Sequence, residues 1–273
     1  MAETLRDFVA RRSRLVVITG AGISTASGIG DYRDANGDWK RVAPMQHDAF
    51  VRSPLARQRY WARSFHGWPA IAGARPNAAH LALTAPAFAS RLTGVITQNV
   101  DGLHQAAGQK DVLDLHGRLD RVICLGCGSR SPRAAFQGAL AADNDWLVSL
   151  RHEPAPDGDA DLALSEGDIA RVRVRDCAAC GGVLKPDVVF YGDNVPRARV
   201  DAAYAWVDQA DGVLVVGSSL MVFSSFRFCR RAAERGVPLA AVNLGRTRAD
   251  ALFQVKTAQS CETVLPQLAE ALA

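Results

Sequence analysis

Residues 20–33 read GAGISTASGIGDYR and follow directly on the apolar run Leu15–Thr19. A strand that enters a Gly-rich turn presents backbone N–H groups to a phosphate, and few folds other than α/β offer that arrangement. The turn is not the usual dinucleotide fingerprint, because Thr25 stands where G-x-G-x-x-G places its third Gly. It continues through Ser27, Gly28 and Gly30 to an acid and a base, Asp31 and Arg33, which places the segment 31–33 over a bound ligand. Taken alone, a G-x-G argues only weakly for a nucleotide.

Leu15–Thr19 is apolar on both faces, as a buried parallel strand must be. Short strands are expected over 94–97 and 112–115, the first ending in Gln98, Asn99, Val100 and Asp101, the second in His116. Polar groups just past the carboxyl ends of strands sit where open α/β sheets bind ligands. Three strands thus deliver polar side chains to one rim. Further on, Arg197–Gln209 reads as a helix and Gly212–Val216 as a strand, which runs into the turn Gly217-Ser218-Ser219. A helix over 226–235 and a strand over 238–242 follow, ending in Asn243-Leu244-Gly245, with a closing helix over 262–272. Strands alternating with helices predict an α/β fold with a doubly wound parallel, Rossmann-like sheet. Residues 183–190 are expected to return to that sheet.

Two regions interrupt the alternation. Residues 35–75 hold Trp39, Phe50, Trp61, Phe65 and Trp68, with a helical pattern over 57–65, and read as a helical insertion on the edge of the nucleotide domain. Residues 119–188 carry Cys124-x-x-Cys127 and Cys177-x-x-Cys180 around a Pro-, Gly- and Asp-rich stretch, 151–168, expected to be a surface loop. Two such pairs offer four thiolates to one tetrahedral Zn²⁺; four unpaired buried thiols are the alternative. A four-Cys site has no open position for water, so its metal would be structural. Segments 1–34, 76–118 and 189–273 are left for the nucleotide-binding domain, within a single unit spanning 1–273.

Composition excludes more than it selects. The chain has 273 residues and a net charge of +4, too mild to argue for nucleic acid. No apolar run reaches bilayer length, and the N-terminal stretch lacks a signal core, so a cytoplasmic protein without membrane partners is expected. Of the cysteines outside the pairs, Cys229 falls on an apolar helical face and Cys261 opens the last helix. A His at a strand end such as His116 is often only a satisfied structural residue. Yet no Ser or Cys nucleophile is framed beside it, which suits a base that serves two reactants attacking each other.

The glycine turn, TQNVDGLH at 97–104, LHG at 115–117 and the paired cysteines together resemble the sirtuins, NAD-dependent protein-lysine deacylases. QRYWARSF, APDGD followed by LSE, and LKPDVVFYGD are similar to class II members, the human mitochondrial sirtuin four type above all, and point to a bacterial relative. The resemblance implies NAD as cosubstrate, one structural zinc and acylated-lysine proteins or peptides as substrates. It implies that His116 is the catalytic base, that Asn99 orients the reacting ribose and that Asp101 holds the nicotinamide carboxamide. Gly20, Ala21, Gly22, Ser24, Asp31, Tyr32, Arg33, Gln98 and Val100 would bind the cofactor, with Gly217, Ser218, Ser219, Asn243, Leu244, Gly245 and Cys261 around the adenosine. The peptide would add a strand at Val188, Val189 and Phe190. Tyr60 and Arg63, three apart on a helix, would grip a carboxylate on the acyl group. In one departure, Gly30 replaces the Pro of the usual SGIPDYR loop. The same NAD pocket would also serve a mono-ADP-ribosyltransferase or a lipoamidase, and an idle NAD-sensing module is the non-enzymatic alternative.

Overall fold

The computed structural model describes residues 4–31, 36, 44–155 and 158–273. Among these are eleven strands: β1 (Leu15–Thr19), β2 (Leu92–Thr97), β3 (Val112–Asp114), β4 (Gly117–Cys124), β5 (Arg130–Pro132), β6 (Glu153–Ala155), β7 (Asp159–Asp161), β8 (Leu184–Val188), β9 (Gly212–Val216), β10 (Leu239–Val242) and β11 (Phe253–Thr257). Six form one sheet in the order β11-β10-β9-β1-β2-β3, every pairing parallel. All five residues of β1 are buried. Its side chains alternate between two cores: Leu15 and Val17 pack with Leu214 and Val216 on one face, and Val16 and Ile18 with Val213 and Val215 on the other. Helices therefore cover both faces, as a doubly wound sheet requires. Strand order reverses between β1 and β9, and at such a switch point a crevice opens beyond the carboxyl ends.

Residues 183–190 do not rejoin this sheet. β8 pairs antiparallel with β4, and β4 with β5, in a separate three-stranded sheet. A short strand-forming run such as VLKPDVVF does not reveal which sheet will take it. The helical insertion packs against both the nucleotide-binding segments and the cysteine-bearing region, with Ile29, Val100 and Leu103 of the former in its core. Its long helix, Pro54–Gly73, starts at a Ser53 cap with Pro in the first turn. Trp61, Phe65 and Phe50 share one core with Phe136, Leu147, Val188 and Phe190, and the Trp61 and Phe136 rings lie 4.4 Å apart. The cysteine-bearing region thus supplies many of the apolar partners its aromatics need. Trp39 lies outside the described residues.

The stretch 151–168 is not a plain surface loop. β6 and β7 form a hairpin against the long helix, Ala160 is fully buried, and a helix capped by Ser165 begins at Glu166. Cys229 is buried in the core, as its helical face requires.

Candidate active site

The carboxyl ends of β1 and β9 meet through glycines. Gly22 N–H donates to the Gly217 carbonyl at 2.8 Å. A Cβ on Gly22 would stand 2.9 Å from Gly217 Cα, and one on Gly217, whose φ is +58°, would stand 2.4 Å from the Ile23 nitrogen. No other residue allows this approach together with that backbone. Beside it opens a cavity of about 1210 Å³. Gly20, Ala21, Gly22, Asp31, Gln98, Asn99, Val100, His116, Gly217, Ser218, Ser219, Asn243, Leu244, Gly245 and Cys261 all line it. So do Tyr60, Arg63, Val188, Val189 and Phe190. Tyr32 and Arg33 lie outside the described residues.

Ser24 and Asp101 stand behind the wall. Asn99 Nδ2 donates to the Gly20 carbonyl (3.2 Å) and to Ser24 Oγ (2.9 Å), and Ser24 Oγ donates to Asp101 Oδ2 (2.7 Å). The other oxygen of Asp101 accepts from the Leu103 amide at 2.9 Å. Burial holds this carboxyl above its ordinary range, against the pull of those bonds. The chain of contacts sets the Asn99 amide rigidly at the cavity.

His116 is held at both nitrogens. Nδ1 lies 3.0 Å from the Gln98 carbonyl and Nε2 lies 2.9 Å from Ser224 Oγ. A carbonyl only accepts, so Nδ1 carries the hydrogen and the Nε2 lone pair faces the Ser224 hydroxyl. Burial pushes the imidazole down to about 4; the Gln98 carbonyl opposes the shift and Arg199 adds to it. The ring is thus a neutral base with its lone pair on the cavity side. Gln98 ties the rim together: its Nε2 donates to Ser218 Oγ (2.6 Å) and its Oε1 accepts from Ser225 Oγ (3.0 Å).

Ser224, Arg227, Arg246 and Arg59 also line the cavity and were not among the sequence candidates. Ser224 had a signal in the sequence: the second Ser pair, 224–225, starts a helix just after the Gly217-Ser218-Ser219 turn. Between them Leu220 takes φ +55°, an uncommon conformation for a branched residue, and its amide bonds Ser218 Oγ at 3.2 Å.

The residues fit a dinucleotide. Two twelve-residue helices, Phe223–Glu234 and Cys261–Leu272, begin on the cavity wall, and Arg227 and Arg246 add charge. Helix starts and guanidinium groups favour a diphosphate. Tyr60 packs edge-on against Phe50 and Phe190, with ring centroids 5.5 and 5.1 Å away. Arg63 is already paired: its Nε and Nη2 each lie 2.8 Å from an oxygen of Asp159. The carboxylate grip expected of it is therefore occupied by the protein itself.

Away from the cavity, the sulfurs of Cys124, Cys127, Cys177 and Cys180 lie within 4.8 Å of one another. Cys124–Cys180 and Cys127–Cys177 are 3.5 and 3.8 Å apart, close to the separation of about 3.8 Å that Zn–S bonds of ~2.3 Å give in a tetrahedron. A Cβ on Gly182 would stand 2.8 Å from the Cys124 sulfur, so the backbone is wrapped tightly on the cluster. The donor set fits one structural zinc.

Fold and site define an α/β dinucleotide-binding enzyme with a basic imidazole at its cavity and a four-cysteine metal module. The Sir2 family profile matches residues 20–224. The chain is 54% identical over 263 residues to a Bradyrhizobium diazoefficiens protein named NAD-dependent protein deacetylase 2, covering 96% of each. It is 53% identical over 267 residues to a Bordetella bronchiseptica NAD-dependent protein deacetylase, covering 97% of this chain and 96% of that one. A solved Sir2–p53 peptide–NAD⁺ complex superposes with a TM-score of 0.74 at 28% identity, over 97% of this chain and 95% of that one. A Sir2 homologue–NAD complex superposes with a TM-score of 0.75 at 26% identity, over 100% and 96%. The chain belongs to the Sir2 family, the sirtuins.

Proposed function

We propose that the chain is an NAD-dependent protein-lysine deacylase, which passes the acyl group of an acyl-lysine to ADP-ribose and releases nicotinamide. The observation that carries this reading is His116, a neutral base whose Nε2 faces the same cavity as the glycine turn. Relatives named NAD-dependent protein deacetylase match nearly the whole chain at similar lengths. Bound NAD supplies an electrophilic ribose carbon and a neighbouring hydroxyl. The Gln98 carbonyl holds the His116 tautomer, so Nε2 can take the hydroxyl proton once Ser224 turns aside. Asn99, fixed by Ser24 and Gly20, orients the reacting ribose, and Asp101 supports it from behind. The turn 20–22, the helix starts at Phe223 and Cys261, and Gly217, Ser218, Ser219, Asn243, Leu244 and Gly245 hold the rest of the dinucleotide. Tyr32 and Arg33 belong to the same reading as part of a segment over the cofactor.

The substrate is a protein or peptide. β8 is an outer strand of its sheet, so an extended peptide can add beside residues 188–190, with the acyl chain reaching toward Tyr60 and Arg63. Likeness to class II members, the sirtuin four type among them, rests on QRYWARSF, the APDGD and LSE segments and LKPDVVFYGD. Cysteines used as metal ligands and core residues suit a reducing compartment, the cytoplasm. None of the described helices is long and apolar enough to cross a membrane.

Mass spectrometry of the protein with NAD and an acetyl-lysine peptide tests the reading. Acyl-ADP-ribose and free nicotinamide in equal amounts are expected. A mass gain on protein in place of the acyl-ADP-ribose product, or unchanged NAD, would overturn it.

A further inference from the structure

We propose that Asp159, on the hairpin of β6 and β7, sets the acyl specificity of the cavity by occupying the Arg63 guanidinium, so that the site takes uncharged acyl groups and rejects those ending in a carboxylate. The proposal rests on the deacylase reading above.

Arg63 and Tyr60 lie on the same helix and on the same cavity wall as Asp159 and Asp161. Asp159 takes the guanidinium fork-on-fork: Nε to Oδ1 at 2.8 Å and Nη2 to Oδ2 at 2.8 Å, and Nη2 also reaches Asp161 Oδ1 at 3.2 Å. This is the geometry in which Arg grips a carboxylate most strongly. Two carboxylates thus share this one guanidinium. Arg59, one turn earlier, is exposed, where an ion pair contributes little.

The hairpin cannot simply swing away. Gly67 lies four residues after Arg63 and so on the same helix face. A Cβ there would stand 2.3 Å from the carbonyl carbon and oxygen of Gly158 and 2.4 Å from the Asp159 carbonyl oxygen. Hairpin backbone thus rests directly on helix backbone, one turn from the ion pair, and Ala160 anchors it in the core. An acyl carboxylate entering here would have to face two aspartates or displace Asp159 from the guanidinium that pairs it. Either arrangement opposes like charges, which is how a site rejects a wrong substrate.

Butyryl- and succinyl-lysine test this, because their chains have nearly the same length and differ in the terminal carboxylate. On one peptide with saturating NAD, the wild type should show a kcat/KM for butyryl at least about tenfold above succinyl. Asp159→Asn should raise the succinyl-to-butyryl ratio about tenfold or more, since a neutral amide frees the Arg63 fork. Adding Arg63→Met to that variant should remove the gain. Asp161→Asn should move the ratio the same way by less, and serves if Asp159→Asn folds poorly. A wild type that prefers succinyl overturns the proposal and leaves the deacylase reading intact, as does a ratio unmoved in both Asp variants. No nicotinamide release with any acyl peptide refutes the deacylase reading, and this proposal with it.

Discussion

His116 Nε2 stands 2.9 Å from the Ser224 hydroxyl, across 108 residues of sequence, while the opposite nitrogen is held by the Gln98 carbonyl. The ring is thereby fixed in one tautomer at the cavity, and the lone pair that meets the Ser224 hydroxyl is one that a substrate hydroxyl can take over. His116→Ala should lower acyl transfer by about 10²–10⁴-fold, the usual worth of a general base. NAD affinity, measured by calorimetry, should change little. Deacylation near the wild-type rate in that variant would remove His116 from the chemistry.

The same burial sets a pH dependence. The active form is neutral, and the imidazole is pushed down to about 4, so His116 stays a base throughout the range from pH 7 to pH 5. The acid limb of kcat/KM should therefore fall well below the ordinary histidine value of about 6.5. A limb near pH 6.5 in the free enzyme would mean that the ring is wetter than this packing allows.

Gly217 meets the turn 20–23 backbone to backbone. Gly217→Ala would bring a Cβ within 2.4 Å of the Ile23 nitrogen at φ +58°, a backbone strain of about 1–3 kcal/mol before the clash is counted. Lower thermal stability and at least tenfold weaker NAD binding are expected. Gly28→Ala is the control: its φ is +83° but nothing lies within 4 Å of the added Cβ, so it should strain the turn without blocking the contact.

Purified protein should contain one zinc per chain. Because metal binding is coupled to folding in such sites, Cys124→Ser or Cys180→Ser should lose the metal and the order of the three-stranded sheet. Circular dichroism and elemental analysis together check this. A stable, fully folded variant with no zinc would make the cluster four ordinary thiols.

Under β1 and β2, His80 and His104 pack with ring centroids 4.9 Å apart, and His104 Nε2 meets Thr19 Oγ1 at 2.9 Å. Burial pushes His80 down to about 4; burial, with His80 beside it, pushes His104 down to about 3. Both are neutral when folded and pick up protons near pH 6.5 when unfolded. Their contribution to stability is complete above pH 6.5 and declines as pH falls toward 4, by up to about 1.4 kcal/mol per pH unit for each ring. Urea midpoints should drop between pH 7.5 and 5, and the drop should be smaller in His80→Gln. A profile that stays flat in the wild type would show that these rings are hydrated.

Residues whose role depends on close neighbours along the chain are legible in the sequence. The turn 20–22, the polar ends of the strands at Asn99 and His116, and the C-x-x-C pairs are local patterns, and the cavity and the sulfur cluster assemble from them. β11 is not legible in this way, because Gln254 and Lys256 alternate with Phe253 and Val255 in a five-residue edge strand among polar loops, too short a pattern to separate from a turn.

What the sequence by itself determined is where backbone must come close and which donors it carries. Gly20, Gly22 and Gly217 permit a contact that a side chain would forbid, and cysteine spacing imposes one metal geometry. Only tertiary structure decided which side chains answer one another over distance. Ser224 opposes His116, β8 joins β4 in place of the large sheet, and the Trp61 helix shares its core with Phe136. Asp159, 96 residues from Arg63 along the chain, takes its guanidinium. The reason is physical: an apolar run or an arginine fork has the same local signature whichever partner buries or pairs it, and the choice is made by packing between elements distant in sequence.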